Sequence, residues 1–578
     1  MLTKKSLSLL FFPLTFSAVY AKPLRIPQAE IDLKFIEQKE ARYVYKSTKK
    51  LKNISVLEKA PANWFNLSPA DGAEGVRTEE AYKAMASLSQ GQEVIVAVLD
   101  SGVDVNHEDL QGKIWINRGE IPNNNLDDDN NGYVDDVYGW NFIGGPDGMA
   151  QMVEDASLAN GLRLIKGKPE AQVEADTLEL VRELVRMTQL KNKVEELGEE
   201  LSTAQLVYLN KLKAEVDENV TEAKSVLELY HQRQKSFLEA KEILSQAGLT
   251  DFSLEGVRSF KAGSPDLEAA RTQLLALLSK GITEQRISRI LNAYGERLAY
   301  HYNVDFNPRN IVKDNYLNPN ERYYGNNDVI GADPSHGTHV SGIIAAVRNN
   351  NLGMDGVALK VKIMAIRAIP NGDERDKDVA NGIRYAVDNG AKIINMSFGK
   401  GYSPYKKVVD EAVKYAESKG VLLVHAAGND NKNNDSLPSF PNRSSKADNI
   451  EFNNWLEIGA SSYKKGLTLP ADFSNFGKKT VDFFAPGVDI YSTTPDNTYD
   501  TYSGTSMATP VAAGVAAVIL SQSPGLDAYG VKNLMIDTSR RYPQQMVNQP
   551  GTENPVLFSS LSTYGSVVDL FEALKTLY

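Results

Sequence analysis

The chain has 578 residues, 42% of them hydrophobic, enough for one large domain with insertions or for more than one domain. Its formal net charge of −11 argues against nucleic-acid binding, which favours basic patches. It has no cysteine, which excludes disulfides and a lipid-modified N-terminal cysteine. Residues 1–21 read as a secretory signal: Lys4 and Lys5 are basic, Leu7 to Val19 is apolar, and Val19-Tyr20-Ala21 offers a small-residue cleavage site. That stretch is too short to span a bilayer comfortably, and no second long apolar run is expected. The processed chain is therefore expected to be soluble, and secreted, periplasmic or at the cell surface. Residues 22–75 are mixed, with a charged stretch from Glu37 to Lys52 and then Pro61-Ala62-Asn63-Trp64-Phe65.

The run V-I-V-A-V-L before Asp100 predicts a buried strand, which can hold a carboxylate out of water. The next feature is Asp127-Asp128-Asp129-Asn130-Asn131-Gly132-Tyr133-Val134-Asp135-Asp136. Oxygen-bearing side chains alternate at Asp127, Asp129 and Asn131, and Gly132 allows a sharp turn. This is the front half of an EF-hand-like loop for Ca²⁺. Tyr138 stands where the closing glutamate belongs, so Asp135 or Asp136 must close the shell. The alternative is an acidic solvated turn.

Residues 150–302 are rich in Glu, Lys, Leu and Ala and read as a helical insertion. Leu180, Leu184, Met187, Leu190, Val194, Leu197 and Leu201 recur in steps of three and four, an amphipathic helix. A second series runs from Leu209 to Leu244. Ser202 and Gln205 between them form a capping box, so the two helices make an antiparallel hairpin, and Gly248 ends the second. Two shorter helices follow, one opening at Ser264-Pro265-Asp266 and one capped by Thr283. No nucleophile or metal-ligand spacing lies in this insertion. It is either a self-packed bundle or a surface that gates substrates or docks a protein partner.

H-G-T-H-V-S-G then places His336 at the start of a helix, and G-T-S-M-A-T-P places Ser506 before a small-residue helix with Pro510 in its first turn. A serine hydroxyl needs a base to take its proton. His336 suits that task near neutral pH, and Asp100 would orient the ring and stabilise the imidazolium. His339 and His107 read as packed or hydrogen-bonded core histidines.

The three strings, in the order Asp, His, Ser, resemble the subtilisin-like serine proteases, or subtilases. Ala426-Ala427-Gly428-Asn429 is similar to that family's oxyanion-hole string, and Asn395-Met396-Ser397-Phe398-Gly399 to the strand lining its substrate cleft. Asp472-Phe473-Ser474-Asn475-Phe476-Gly477 and Ala485-Pro486-Gly487 also have counterparts. The resemblance implies an α/β, three-layer fold with a mostly parallel central sheet flanked by helices, here split into 76–149 and 303–578 by the insertion. It implies cleavage of polypeptides through an acyl-enzyme, with Asn429 and the Ser506 N–H facing the oxyanion. Ser397, Phe398, Gly399, Ala427 and Gly428 would line the cleft. It implies a calcium site at Asp109, completed by the Asn350 side chain, with Asn349 as the alternative, and by the carbonyls of Leu352 and Met354. Residues 22–75 would be a reduced propeptide or an N-terminal arm. Two rival functions stand beside hydrolysis: a silent binding module acting through the insertion, and acyl transfer to an amine. The separation of 236 positions from Asp100 to His336, far more than subtilases usually have there, is this chain's own feature.

Overall fold

The computed structural model describes residues 60–85, 91–154, 162–445 and 448–578. The expected secretory signal, 1–21, and most of 22–75 lie outside the described residues. Apolar β-rich runs with helices between them build a nine-stranded sheet. Its strands in chain order are β1 (Val94–Asp100), β2 (Gly139–Asn141), β3 (Val361–Arg367), β4 (Ile393–Met396), β5 (Leu422–Ala426), β6 (Trp455–Ser461) and β7 (Phe483–Pro486). A hairpin, β8 (Ile490–Thr494) with β9 (Thr498–Tyr502), stands apart, and β10 (Arg540–Arg541) and β11 (Ser566–Val567) close one edge. The sheet order is β10-β11-β7-β6-β5-β4-β1-β3-β2. Every pairing is parallel except that of β10 with β11.

β1 lies centrally, in register with β3 from Val94↔Val361 to Asp100↔Arg367 and with β4 from Val96↔Ile393 to Leu99↔Met396. Its continuous apolar sequence follows from burial on both faces, as parallel strands covered by helices require. The chain leaves β1 for β3 on one side and for β4 and β5 on the other. The carboxyl ends of these strands therefore border the crevice where open α/β sheets bind ligands.

Helix α1 (Thr78–Ala84) follows the described N-terminal stretch, in which Trp64 and Phe65 are fully buried. The Trp64 indole donates to the Val488 carbonyl at 3.1 Å and Asn66 donates to the Asp355 carbonyl at 2.7 Å, so residues from Trp64 onward pack as part of the core.

The all-helical insertion expected over 150–302 opens instead with a short antiparallel strand pair, Gln151–Glu154 with Leu162–Ile165, and its α-helices begin only at Glu179. There α2 (Glu179–Glu196) turns back into α3 (Thr203–Gln246), a helix of 44 residues, roughly 66 Å long at 1.5 Å per residue. Ser202 caps α3 through the reciprocal bonds with Gln205. Buried Leu212 and Val216 of α3 meet Leu180 and Val181 of α2. A short helix α4 (Leu254–Ser259), then α5 (Pro265–Leu278) and α6 (Glu284–Glu296), complete the insertion. Phe237, Ala240 and Leu244 of α3 and Leu274 and Ile287 of α5 and α6 are buried there. The stripe expected from sequence departs from this at the turn of the hairpin, where Leu190 is 38% and Leu197 69% exposed. Their spacing is helical, but the partner helix alone does not cover them.

Helix α7 (Ser335–Ala345) carries His336, and α8 (Asp376–Asp388) and α9 (Lys406–Ser418) follow β3 and β4. Helix α10 (Thr505–Gln522) is buried along almost its whole length. By length and hydropathy it is apolar enough to cross a membrane, a second long apolar run where none was expected; 89% of it is buried in the protein. Pro510 lies in its second turn, not its first. A proline there cannot bond the carbonyl four residues back, and that carbonyl, of Ser506, accepts instead from the Ser397 hydroxyl at 3.0 Å. Helices α11 (Ala528–Thr538) and α12 (Leu570–Leu577) finish the chain.

Leu212→Ala should remove a fully packed contact of the α2–α3 hairpin at a cost of about 2–5 kcal/mol. Hydrogen exchange should show faster opening of α2 and the first half of α3, with α10 unchanged.

Candidate active site

Three chain segments far apart in sequence meet at the carboxyl ends of β1, β4 and β5. Asp100, the last residue of β1, is 2% exposed. Its Oδ1 accepts from the Ser101 N–H at 2.8 Å and from His336 Nδ1 at 2.7 Å. With Nδ1 donating, Nε2 is the acceptor of the neutral ring. His336 reaches Asp100 because Gly337 lets α7 lie against the turn after β1: a Cβ on Gly337 would stand 2.1 Å from the Gly102 carbonyl oxygen. Burial works against a charged His336 ring, but the Asp100 carboxylate, with Asp333 beyond, outweighs it and holds the pKa above its ordinary 6.5. The ring remains 38% exposed and open to a reactant.

Ser506 stands in the first turn of α10. Its Oγ donates to the Ser397 carbonyl at 3.1 Å rather than to His336, so Ser506 and Ser397 are cross-linked by two hydrogen bonds. Asn395 Nδ2 donates to the Ser397 hydroxyl at 2.9 Å, and Phe398 packs edge-on to His425. Gly399 faces Ser439, whose Oγ would stand 3.0 Å from a Cβ at 399.

Asn429 follows β5 and is oriented by Thr505, a residue of the G-T-S string not expected to have a role. The Thr505 N–H at 2.8 Å and its hydroxyl at 2.9 Å both donate to Asn429 Oδ1, which leaves Nδ2 for another acceptor. A side-chain carbon built on Gly504 would lie 3.5 Å from the Ser506 nitrogen and 3.7 Å from Asn429 Nδ2. Two N–H donors thus border one small space kept clear by a glycine. Gly428 has φ +104°, and a Cβ there would meet Asn475 Nδ2 at 2.4 Å. Asn475 in turn donates to the Ala427 carbonyl and accepts from the Asp430 and Lys432 N–H groups, each at 2.9 Å. A pair of N–H donors bordering one space beside a serine can stabilise a developing oxyanion; a single such donor is commonly worth about 3–4 kcal/mol.

His339 and His107 are bonded core residues, as their positions suggested. His339 Nε2 lies 3.1 Å from the Ile490 carbonyl and its ring stacks on Tyr502 at 4.3 Å. Burial, with His336 nearby, pushes its pKa down to about 3. His107 Nε2 lies 3.1 Å from the Thr498 carbonyl, and its Nδ1 accepts from the Asp109 N–H.

At the acidic loop the structure gathers Asp127 and Asp129 with Glu120, their carboxylate oxygens within 4.8 Å of one another. Glu120 was not expected from sequence, since it precedes the loop; Glu120 Oε1 also accepts from the Asp128 N–H and Oε2 from the Asp135 N–H. Asp136, one of the two residues expected to close the shell, turns beneath the loop instead. It accepts from Tyr385 at 2.5 Å and Asn117 at 2.7 Å, and burial pushes its carboxyl up to about 7. Asn131 braces the loop, donating to Asp136 at 3.0 Å and accepting from the Tyr133 N–H. Asp135 is buried, and its Oδ1 has no hydrogen-bond partner among the described residues.

At the other expected site, Asn350 Nδ2 lies 2.7 Å from Asp109 Oδ1, while Asn349 bonds through its backbone to Asp355. Asp109 is fully buried and Oδ2 has no partner among the described residues; burial raises its pKa. Leu352, whose N–H donates to Asn350 Oδ1, and Met354 belong to the same turn.

Residues 91–554 match the model of the subtilase family, and the chain belongs to that family. It is 43% identical over 189 residues to a thermophilic serine proteinase of Bacillus sp. (strain AK1), covering 32% of this chain and 43% of that one. It is 40% identical over 188 residues to thermitase of Thermoactinomyces vulgaris, covering 32% of this chain and 61% of that one. The chain thus spans less than two thirds of the length of either relative. The crystal structure of a cold adapted subtilisin-like serine proteinase matches with 30% identity and a TM-score of 0.33, over 42% of this chain and 78% of that chain.

His339 should make the protein acid-sensitive. An unfolded imidazole takes its proton near 6.5, whereas the folded ring refuses it until about 3. The stability it contributes is complete above about pH 6.5 and is lost as the pH falls toward 3. In chemical denaturation, His339→Gln, which keeps a donor without a titrating proton, should lose stability less steeply there, by up to about 1.4 kcal/mol per pH unit.

Proposed function

We propose that the protein is a secreted serine endopeptidase that hydrolyses peptide bonds through Ser506, His336 and Asp100 and an acyl-enzyme. The observation that carries this reading is the 2.7 Å bond from His336 to buried Asp100, together with a Ser506 N–H that borders one small space with Asn429 Nδ2. An extended peptide pairs with Ser397–Gly399 as an added strand. A substrate N–H that takes the Ser397 carbonyl releases the Ser506 hydroxyl, which turns to His336 Nε2. His336 accepts the hydroxyl proton as Oγ attacks the carbonyl carbon, and Asp100 stabilises the imidazolium. Asn429 Nδ2 and the Ser506 N–H hold the oxyanion. His336 then gives its proton to the leaving amine, and water, deprotonated by the same ring, releases the acid.

Ca²⁺ fits the oxygen-only donor sets. Glu120, Asp127 and Asp129 would hold one ion; Asp109, whose buried Oδ2 has no hydrogen-bond partner among the described residues, would hold another with Asn350 and the carbonyls of Leu352 and Met354. Bound there, calcium would neutralise clustered carboxylates and stiffen two loops, with no part in the chemistry.

Ser506→Ala should cut peptide hydrolysis by about 10⁶-fold while leaving the melting temperature near that of the wild type. A peptide library incubated with and without a serine-directed phosphonate reads this and detects amine-transfer products. Cleavage that survives both the substitution and the phosphonate would refute the mechanism. Chelation should lower the melting temperature, and calcium, but not magnesium, should restore it; calorimetry with each ion is the check.

A further inference from the structure

The segment that leads into the insertion runs against the cleft wall. Glu179, the first residue of α2, is fully buried. Its Oε2 lies 2.6 Å from Arg182 and 3.5 Å from Lys400 Nζ, and its N–H donates to Asp373 at 2.8 Å. Lys400 follows Gly399 directly and is itself 1% exposed. Its ammonium also meets Asp376 at 2.8 Å and the Glu374 carbonyl at 2.7 Å, while its backbone exchanges two 2.9 Å bonds with Phe440. One turn away, Asp176 holds Arg375 at 2.5 Å and faces Arg182 at 3.4 Å.

Burial pushes the Asp373 and Glu374 carboxyls up. The cations Arg182, Arg186, Arg375 and Lys400 face the anions Asp176, Glu179, Glu183 and Asp376. The cations around Glu179 overcome its burial and pull its carboxyl down to about 2. Taking such groups out of water costs several kcal/mol per ion, and removing one partner leaves a bare buried charge. A bundle that merely hung from the catalytic fold needs no such knot. Beside it, Tyr402 packs on the apolar seam of α2 and α3, so the chain just past the cleft strand is held by the insertion on two counts.

We infer that Glu179 is a positioning residue for substrate: through Lys400, the first helix of the insertion sets the Ser397–Gly399 edge on which an extended peptide pairs, and so favours extended chains over short acyl groups. This rests on the endopeptidase reading. The pairing edge is used only by a substrate long enough to lie along it, so binding energy from remote substrate residues is what its displacement removes.

The test compares two substrates with the same residue before the cut: an acylated tetrapeptide anilide and a single-residue thioester. Both are given to the full-length protein, to Glu179→Gln and to Glu179→Asp. Glu179→Gln should lower kcat/KM for the tetrapeptide about tenfold, chiefly through KM, and leave the thioester within twofold. Glu179→Asp, which keeps the charge and shortens its reach, should show the same selective loss at smaller size, and stands in should Glu179→Gln not fold. Equal losses on both substrates, or no loss on either, would overturn the inference. A wild type inert to both substrates would instead overturn the endopeptidase reading.

Discussion

A carboxylate at the inner end of a central parallel strand is out of water and has to be met by donors. Asp100 is in that position, and the Ser101 N–H and His336 answer it at one oxygen. Much of the neighbouring architecture follows from that single bond. Helix α7 begins where it does because His336 must reach β1, and Gly337 is the residue that lets the helix come close enough. The hairpin β8–β9 then packs on the outer turns of α7, where Ser492 and Thr493 donate to the carbonyls of His339 and Thr338. The same carboxylate raises the affinity of His336 for a proton, the property a base needs.

The second tie runs from α10 to β4. Pro510 leaves the Ser506 carbonyl without its helical partner, Ser397 supplies a hydroxyl, and Ser506 returns a bond to the Ser397 carbonyl. Ser506 and the Ser397–Gly399 segment are thereby fixed to each other. Thr505, one residue earlier, turns the Asn429 amide so that its nitrogen faces the same space. Preorganised donors of this kind cost little reorganisation at the moment of reaction. The insertion adds a third tie at Lys400, built from buried charge rather than from backbone pairing.

Much of this could be read from local pattern. β1 was legible because a strand buried on both faces is apolar at every position. The start of α3 was legible because a capping box involves residues three apart. The Asp100, His336, Ser506 and Asn429 strings were legible because each role demands a particular side chain beside particular small residues. Other features were not. Leu190 and Leu197 keep helical spacing yet face solvent, since periodicity says which face is apolar and not whether anything covers it. Glu120 joins Asp127 and Asp129 from outside the loop motif, and Asp136 is drawn away by Tyr385, which comes from α8. Pro510 was placed one turn too early, because the helix start depends on how Thr505 meets Asn429 across the cleft.

The sequence by itself determined the chemistry on offer: a serine, an imidazole and a carboxylate in that family's order, a glycine-flanked asparagine, and two oxygen-rich loops. It also determined that a helical insertion separates Asp100 from His336. Only the tertiary structure decided which oxygen Ser506 faces, which acid completes the loop cluster, and that Glu179 meets Lys400. Those contacts join residues separated by up to 221 positions along the chain. Hydrogen-bond and ion-pair partners at such range are chosen by burial, where an unpaired polar group is costly, and burial is set by packing that no local pattern encodes.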